Sequence, residues 1–309
     1  MQRSLDGFTV IELVGFGAIG EVWRARPDDG GADVALKWLT AATVDTERLA
    51  AARLRDFRHP HVARLLDLRR DGSCVVLVQE FVAGVSLATL LTERGRLSSA
   101  EVVTLLTPVA DALGAAHAAG LVHGSLTPSA VRLTPDGRPV LTDLGICPAL
   151  TGAPSGTERL EYLDPSVTQG CPLTAASDVF GVAAIGFHAV TGGPPWAGGT
   201  GADPRQLATE GARGDLLPLH IGVPGRLADV IARGLSEQPE RRGSAQDFAA
   251  DVRAALEPEP LHLAGPLLWP DLPTIEPAET VDQDSAGSGP APFDIAGAVR
   301  RGSSARHAA

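Results

Sequence analysis

The chain has 309 residues, 44% hydrophobic and 20% charged, enough for one large domain or two lobes around a sizeable core. A formal net charge of −11 and a pI near 5.2 argue against nonspecific nucleic-acid binding, which needs a basic face, and against adhesion to an anionic membrane. Cys74, Cys147 and Cys171 are odd in number and show no disulfide or metal-ligand spacing, so a reducing compartment is expected. The N-terminus M-Q-R-S-L-D-G-F-T-V has no apolar signal core. The longest apolar run, from Val179, is too short to span a bilayer and contains a histidine. A cytoplasmic protein without membrane insertion is the expectation.

Residues 8 to 40 alternate apolar and polar with glycine breaks, the pattern of short antiparallel strands. F-T-V-I-E-L-V leads into G-F-G-A-I-G and E-V-W-R-A-R, and after the turn P-D-D-G-G comes V-A-L-K-W-L. Residues 44 to 57 are helical in composition, and L-L-D-L-R-R-D-G-S-C-V-V-L-V-Q-E-F reads as a hairpin. From Ser86 the chain turns helical, with a long run from Ser98 to Ala119 opened by the capping-box pair Ser98 and Glu101. Short strands around Val131 and Val140 flank the turn T-P-D-G, and helical patterns resume from Thr174 to about Leu256. The order is a small β-rich lobe followed by a larger helical one.

After Leu256 the composition becomes Pro/Gly/Ser-rich and mostly acidic. Periodic apolar positions that could repay the entropy of ordering are missing, so residues 257–309 are expected to be largely disordered.

The run G-F-G-A-I-G, Gly15 to Gly20, is a weak signal alone. Here it sits inside a hairpin and is followed by a lysine, Lys37, on the next strand. Further landmarks come in order: H-P-H-V from His59, V-Q-E-F-V to Val82, H-G-S-L-T-P-S-A from His123, and D-L-G at Asp143. G-T at Gly156, Y-L-D-P-S from Tyr162, S-D-V-F-G from Ser177, T-G-G-P-P-W and Q-P-E-R-R ending at Arg242 follow. From about Phe8 to Leu256 the chain resembles the eukaryotic-like Ser/Thr protein kinases, especially the bacterial ones. The resemblance implies an α+β, two-lobed kinase fold. Residues 8–82 would form the small lobe and 83–256 the large one, within a domain of residues 1–256. It also implies ATP and Mg²⁺ as candidate ligands. Gly15, Gly17, Gly20, Val22, Ala35, Lys37, Glu80, Val82 and Asp143 are the candidate nucleotide-binding positions, with Asp143 as the metal ligand.

The catalytic loop departs from the family. Where the family has H-R-D-L-K-P-x-N, this chain has H-G-S-L-T-P-S-A. Ser125 replaces the aspartate that orients and deprotonates the substrate hydroxyl, and Thr127 replaces the lysine that balances charge on the γ-phosphate. Ala130 replaces the asparagine that holds the second metal, and Gly124 the arginine that docks a phosphorylated activation loop. Phosphoryl transfer rests on positioning and electrostatics, so these losses fall on one transition state. No intact catalytic set remains, and near-background transfer is expected.

Other positions carry similar departures. The helix position that should hold the glutamate partner of Lys37 falls on Ala50, with Glu47 one turn earlier. Arg132 stands where the family places an apolar residue beneath adenine, so it must either snorkel away or fill that site. Ser166 replaces the glutamate that normally pairs with an arginine matched by Arg242, so that buried pair is expected to be broken. Thr157 matches the family's Gly-Thr step near the substrate site but lacks its usual partners. The apolar column linking the lobes looks kept, at Leu54, Leu65, Leu144 and His123, anchored by Asp178.

Packing retained with chemistry lost points to a pseudokinase serving as a protein-binding scaffold or regulator in bacterial Ser/Thr kinase signalling. The alternatives are a weakly active or unconventional Ser/Thr kinase using Lys37 and Asp143, and a phosphothreonine-dependent adaptor. In the adaptor, Thr274 and Thr280 would be modified by an active Ser/Thr kinase and read by a forkhead-associated domain.

Overall fold

A computed structural model describes residues 3–17, 20–40, 54–146, 160–168, 170–195 and 222–263. They belong to one compact unit, Met1–Trp269; a second, Pro270–Ala309, holds no described residue. The expected two-lobed α+β architecture is present.

The small lobe is a five-stranded antiparallel sheet in the order β1-β2-β3-β5-β4. Its strands are β1 (Phe8–Gly17), β2 (Gly20–Pro27), β3 (Val34–Thr40), β4 (Leu65–Asp71) and β5 (Cys74–Glu80). The period of two sorts β5 between two cores. Val75 and Leu77 join the large cluster that continues into the other lobe, while Val76 and Val78 pack with Ala25, Leu36 and Trp38 on the opposite face.

The large lobe begins with β6 (Val85–Ser86) and α1 (Leu87–Arg94), then α2 (Ser99–Ala118). The small strands β7 (Val131–Leu133) and β8 (Pro139–Leu141) join β6 in a second sheet, ordered β6-β7-β8. Helices α3 (Pro165–Thr168), α4 (Ala175–Thr191), α5 (Gly225–Gly234) and α6 (Ala245–Ala255) complete the described part. By length and hydropathy α2 could cross a membrane, yet it is core: Leu105, Leu106, Ala110 and Leu113 are fully buried, against α4 and α6. The predicted capping box is made: Glu101 N–H donates to Ser98 Oγ at 3.1 Å, and Ser98 N–H donates to Glu101 Oε2 at 2.9 Å.

One boundary needs correcting. Disorder was expected from residue 257, but residues 257–263 run along α2 as an ordered strap. Thr104 Oγ1 donates to the Glu259 carbonyl at 2.6 Å, His262 N–H donates to Glu101 Oε1 at 3.0 Å, and Leu261 is buried against Gly137. The reason is a partner that composition does not reveal: Leu261 and Leu263 extend the core of the large lobe, and α2 supplies hydrogen bonds to the strap's backbone. Residues 264–309 lie outside the described residues.

Glu101 is the strap's main anchor. Its buried carboxylate takes a two-pronged grip from Arg94, at 2.6 and 2.8 Å, besides the Ser98 and His262 backbone. Burial alone would push this carboxyl up, but those donors bring it down to about 2. A depressed carboxyl stabilises the fold fully above its unfolded value, about 4.3, and the contribution is lost as pH falls through its folded value. Glu101→Gln should therefore be less stable than wild type at pH 7. The gap should narrow between about pH 5 and pH 2, as urea denaturation at stepped pH will measure. A gap independent of pH would contradict the assignment.

Candidate functional site

The predicted cleft parts meet between the two sheets. Gly17 and Gly20 pair across the turn between β1 and β2. Gly15 is in register with Val22, which pairs in turn with Lys37, so the glycine hairpin lies beside the lysine strand. Ala35 pairs with Gln79 on β5, and the chain leaving β5 carries Glu80 and Val82 toward β6. Glu80 itself is exposed, and its carboxylate accepts from the Arg64 backbone N–H at 3.4 Å.

Lys37, 5% exposed, donates directly to the Asp143 carboxylate. Each charge neutralises the other in a half-dry site, so a phosphate must compete with Asp143 for the ammonium. Asp143 adopts φ +65°, the single positive φ among the described non-glycine residues. Strain of this kind persists only where surrounding contacts enforce it. Glu47 and Ala50 lie outside the described residues, as do Gly156, Thr157, Thr274 and Thr280.

The loop framework is intact. The backbone N–H groups of His123 and Gly124 each donate to the Asp178 carboxylate at 2.8 Å, and His117 Nε2 lies 2.8 Å from it. Gly124 takes φ +74°, which a residue without Cβ adopts freely. Leu54, Leu65, Leu144 and His123 are all buried, as the linking column requires. Gly145 takes φ +70°, which favours glycine, and a Cβ there would also press on Leu54 Cδ2 of that column at 2.6 Å.

Within this framework the working positions are chemically empty. Ser125 Oγ is buried without a hydrogen-bond partner, beside a cavity of about 10 Å³ that Tyr162 and Asp178 also line. That is room for one water. Among the described residues no base touches the hydroxyl, which an activated nucleophile would need. Thr127 and Ala130 are buried at 3% and 8% exposure and carry no charge. No cluster of three or more metal-type ligands occurs among the described residues, so a Mg²⁺ ion would depend on Asp143 and on phosphate oxygens.

Arg132 does not snorkel into solvent. It sits mid-strand on β7, opposite Ser86 and Val140, and its guanidinium donates to the Gly84 carbonyl. Burial pushes its pKa down to about 10. Gly84 can only be glycine: it takes φ +124°, and a Cβ would fall 1.9 Å from the Leu133 carbonyl oxygen. The segment following Val82 thus presses on β7, with a cation where the family places an apolar floor.

The expectation of a broken pair at Arg242 is overturned. Asp164, two residues before Ser166, supplies the carboxylate: Arg242 Nη1 and Nη2 reach its oxygens at 2.5 and 3.0 Å. Both side chains are sealed from solvent, at 0% and 1% exposure. Arg242 also donates to the carbonyls of Ser236 and Ala176, and its guanidinium lies 5.1 Å from the Phe180 ring centre. Burial would raise the Asp164 carboxyl, but Arg242 beside it and the Ser166 backbone N–H hold it low. The Asp-Pro step was visible in the sequence; that the turn before α3 aims this acid inward was not.

The chain matches the protein kinase domain model over residues 8–252. The chain belongs to the protein kinase family. It is 32% identical over 280 residues to the serine/threonine-protein kinase PkaA of Streptomyces coelicolor, covering 80% of this chain and 49% of that protein. It is 32% identical to PkaB of the same organism, covering 83% and 65%. Against PknA of Mycobacterium tuberculosis the identity is 30%, covering 82% and 63%. The chain thus spans about half to two thirds of the length of these relatives. In this kinase-family chain Leu54, Leu65, Leu144 and His123 are buried, Asp178 holds the loop at His123, Lys37 meets Asp143, and Ser125, Thr127 and Ala130 are uncharged.

Proposed function

We propose that this kinase-family chain is a pseudokinase, a folded scaffold or regulator that works by binding protein partners in bacterial Ser/Thr kinase signalling, in the cytoplasm. The observation that carries this reading is the catalytic loop: Asp178 holds it in place while Ser125, Thr127 and Ala130 offer no base, compensating cation or metal ligand. Arg132 at the Gly84 carbonyl supports it further, because a guanidinium there opposes an adenine ring. An active kinase and a forkhead-associated domain protein are the partner classes we propose.

A second reading has one specific observation in its favour. Lys37 and Asp143 remain together, so a weak kinase relying on them alone is the rival. A thermal-shift titration with ATP, with and without Mg²⁺ and Mn²⁺, separates the two, since a ligand of the native state raises apparent stability by mass action. The expected result is little or no shift. A large metal-dependent shift would favour the rival.

Arg132→Leu should tighten ATP by about fourfold or more, since even a methylene-scale apolar gain is worth ~0.8 kcal/mol. Calorimetry on the variant reads this directly. Unchanged or weaker affinity would place the arginine outside the nucleotide's path.

A further inference from the structure

A second cavity opens beside the chain leaving β5, and neither Lys37 nor Asp143 is among its lining residues. It measures about 430 Å³ and is lined by Pro60, Val62, Phe81, Val82, Pro135 and Val140, with His59, Arg64 and Arg138 among its polar groups. Pro60, Ala83 and Pro135 are exposed, so apolar surface here faces solvent. Its volume suits one or two large apolar side chains.

The strap passes one wall of this cavity at Leu261, and its next residue, His262, bonds to Glu101 and Arg94. Leu261 packs on Gly137, whose amide donates to the Thr134 carbonyl at the turn between β7 and β8. Thr134, Pro135 and Arg138 of that same turn form a wall of the cavity. Beyond Leu263 the sequence continues A-G-P-L-L-W-P, placing Leu267, Leu268 and Trp269 between two prolines. Trp269 is six residues past Leu263, up to about 20 Å of extended chain, and the wall begins one residue from the strap's own contact. Prolines on both sides favour an extended backbone and reduce the entropy lost on docking.

We propose that Leu267–Trp269 docks back into this cavity as its intramolecular occupant. The indole suits the site: Val62 and Val140 are among its apolar lining residues, and Arg64 and Arg138 are its cationic ones. Tethering favours the intramolecular occupant, because a short linker supplies an effective concentration of order millimolar. The inference does not depend on whether the chain transfers phosphate.

Hydrogen exchange on the full-length chain tests it, comparing wild type with Leu267→Ser/Trp269→Ser. Both positions lie past the strap, and circular dichroism checks that the variant folds. With a millimolar tether and a Kd of order 0.1 mM, the wild type should exchange about tenfold more slowly than the variant at residues 59–64 and 134–140. Exchange in Ser99–Ala118 should not change. A synthetic LAGPLLWPD peptide should restore the lost protection in the variant and add little to wild type. Equal exchange in the two proteins would overturn the proposal, as would a peptide that protects both alike. Protection of the wild type that disappears on dilution, together with a dimer by sedimentation, would assign the cavity to a second copy and overturn the intramolecular occupant.

Discussion

Asp164→Ala should destabilise the protein by about 3–5 kcal/mol, because it leaves the Arg242 guanidinium buried without its counter-charge. The backbone acceptors at Ser236 and Ala176 and the Phe180 ring remain, but none carries a full negative charge. Urea denaturation gives the number. Asp164→Leu/Arg242→Met should lose much less than the sum of the single changes, since the pair is then removed together and replaced by apolar packing. Ser166→Glu in the Asp164→Ala background should recover part of the loss, because it returns the acid to the position the family uses. A loss below about 1 kcal/mol for Asp164→Ala would mean that the pair is not sealed as the structure has it.

The second large effect concerns phosphate transfer. Purified protein is expected to show no transfer to itself or to generic substrates. Ser125→Asp alone should leave it silent, since Thr127 and Ala130 still withhold a cation and a metal ligand. Ser125→Asp, Thr127→Lys and Ala130→Asn together with Arg132→Leu should raise transfer by about two orders of magnitude or more over the single variant. One well-placed electrostatic group is worth ~3 kcal/mol, and the groups act as a unit. Radiolabel incorporation reads the series. Robust labelling in wild type that vanishes in Lys37→Met, or in Ser125→Asp alone, would defeat the pseudokinase reading.

Much of the site was legible because kinase chemistry is written in short motifs at fixed places along the chain. The glycine hairpin, Lys37, Asp143 and the altered loop from His123 to Ala130 were each found by residue type, and the structure brings the hairpin, the lysine and the acid to one cleft. Asp164 was read only as part of a motif with its glutamate missing. A buried cation takes the nearest carboxylate that the turn can aim at it, and alignment by position does not see that freedom. Compositional reasoning likewise failed for residues 257–263. Disorder arguments count a segment's own apolar residues, whereas this strap is ordered by Glu101, Thr104 and Gly137, far away in sequence.

The strands, the capped helix from Ser99 to Ala118 and the uncharged loop residues Ser125, Thr127 and Ala130 were determined by the sequence alone. Each depends on local periodicity, on a cap three residues away, or on the identity of a side chain. The partner of Arg242, the resting place of Arg132 and the docking of the strap were decided only by the tertiary structure. Each is the placement of a charged or polar group leaving water. The group that compensates it is whichever partner the packed chain brings within hydrogen-bonding distance, here 48, 78 and 161 residues away along the sequence.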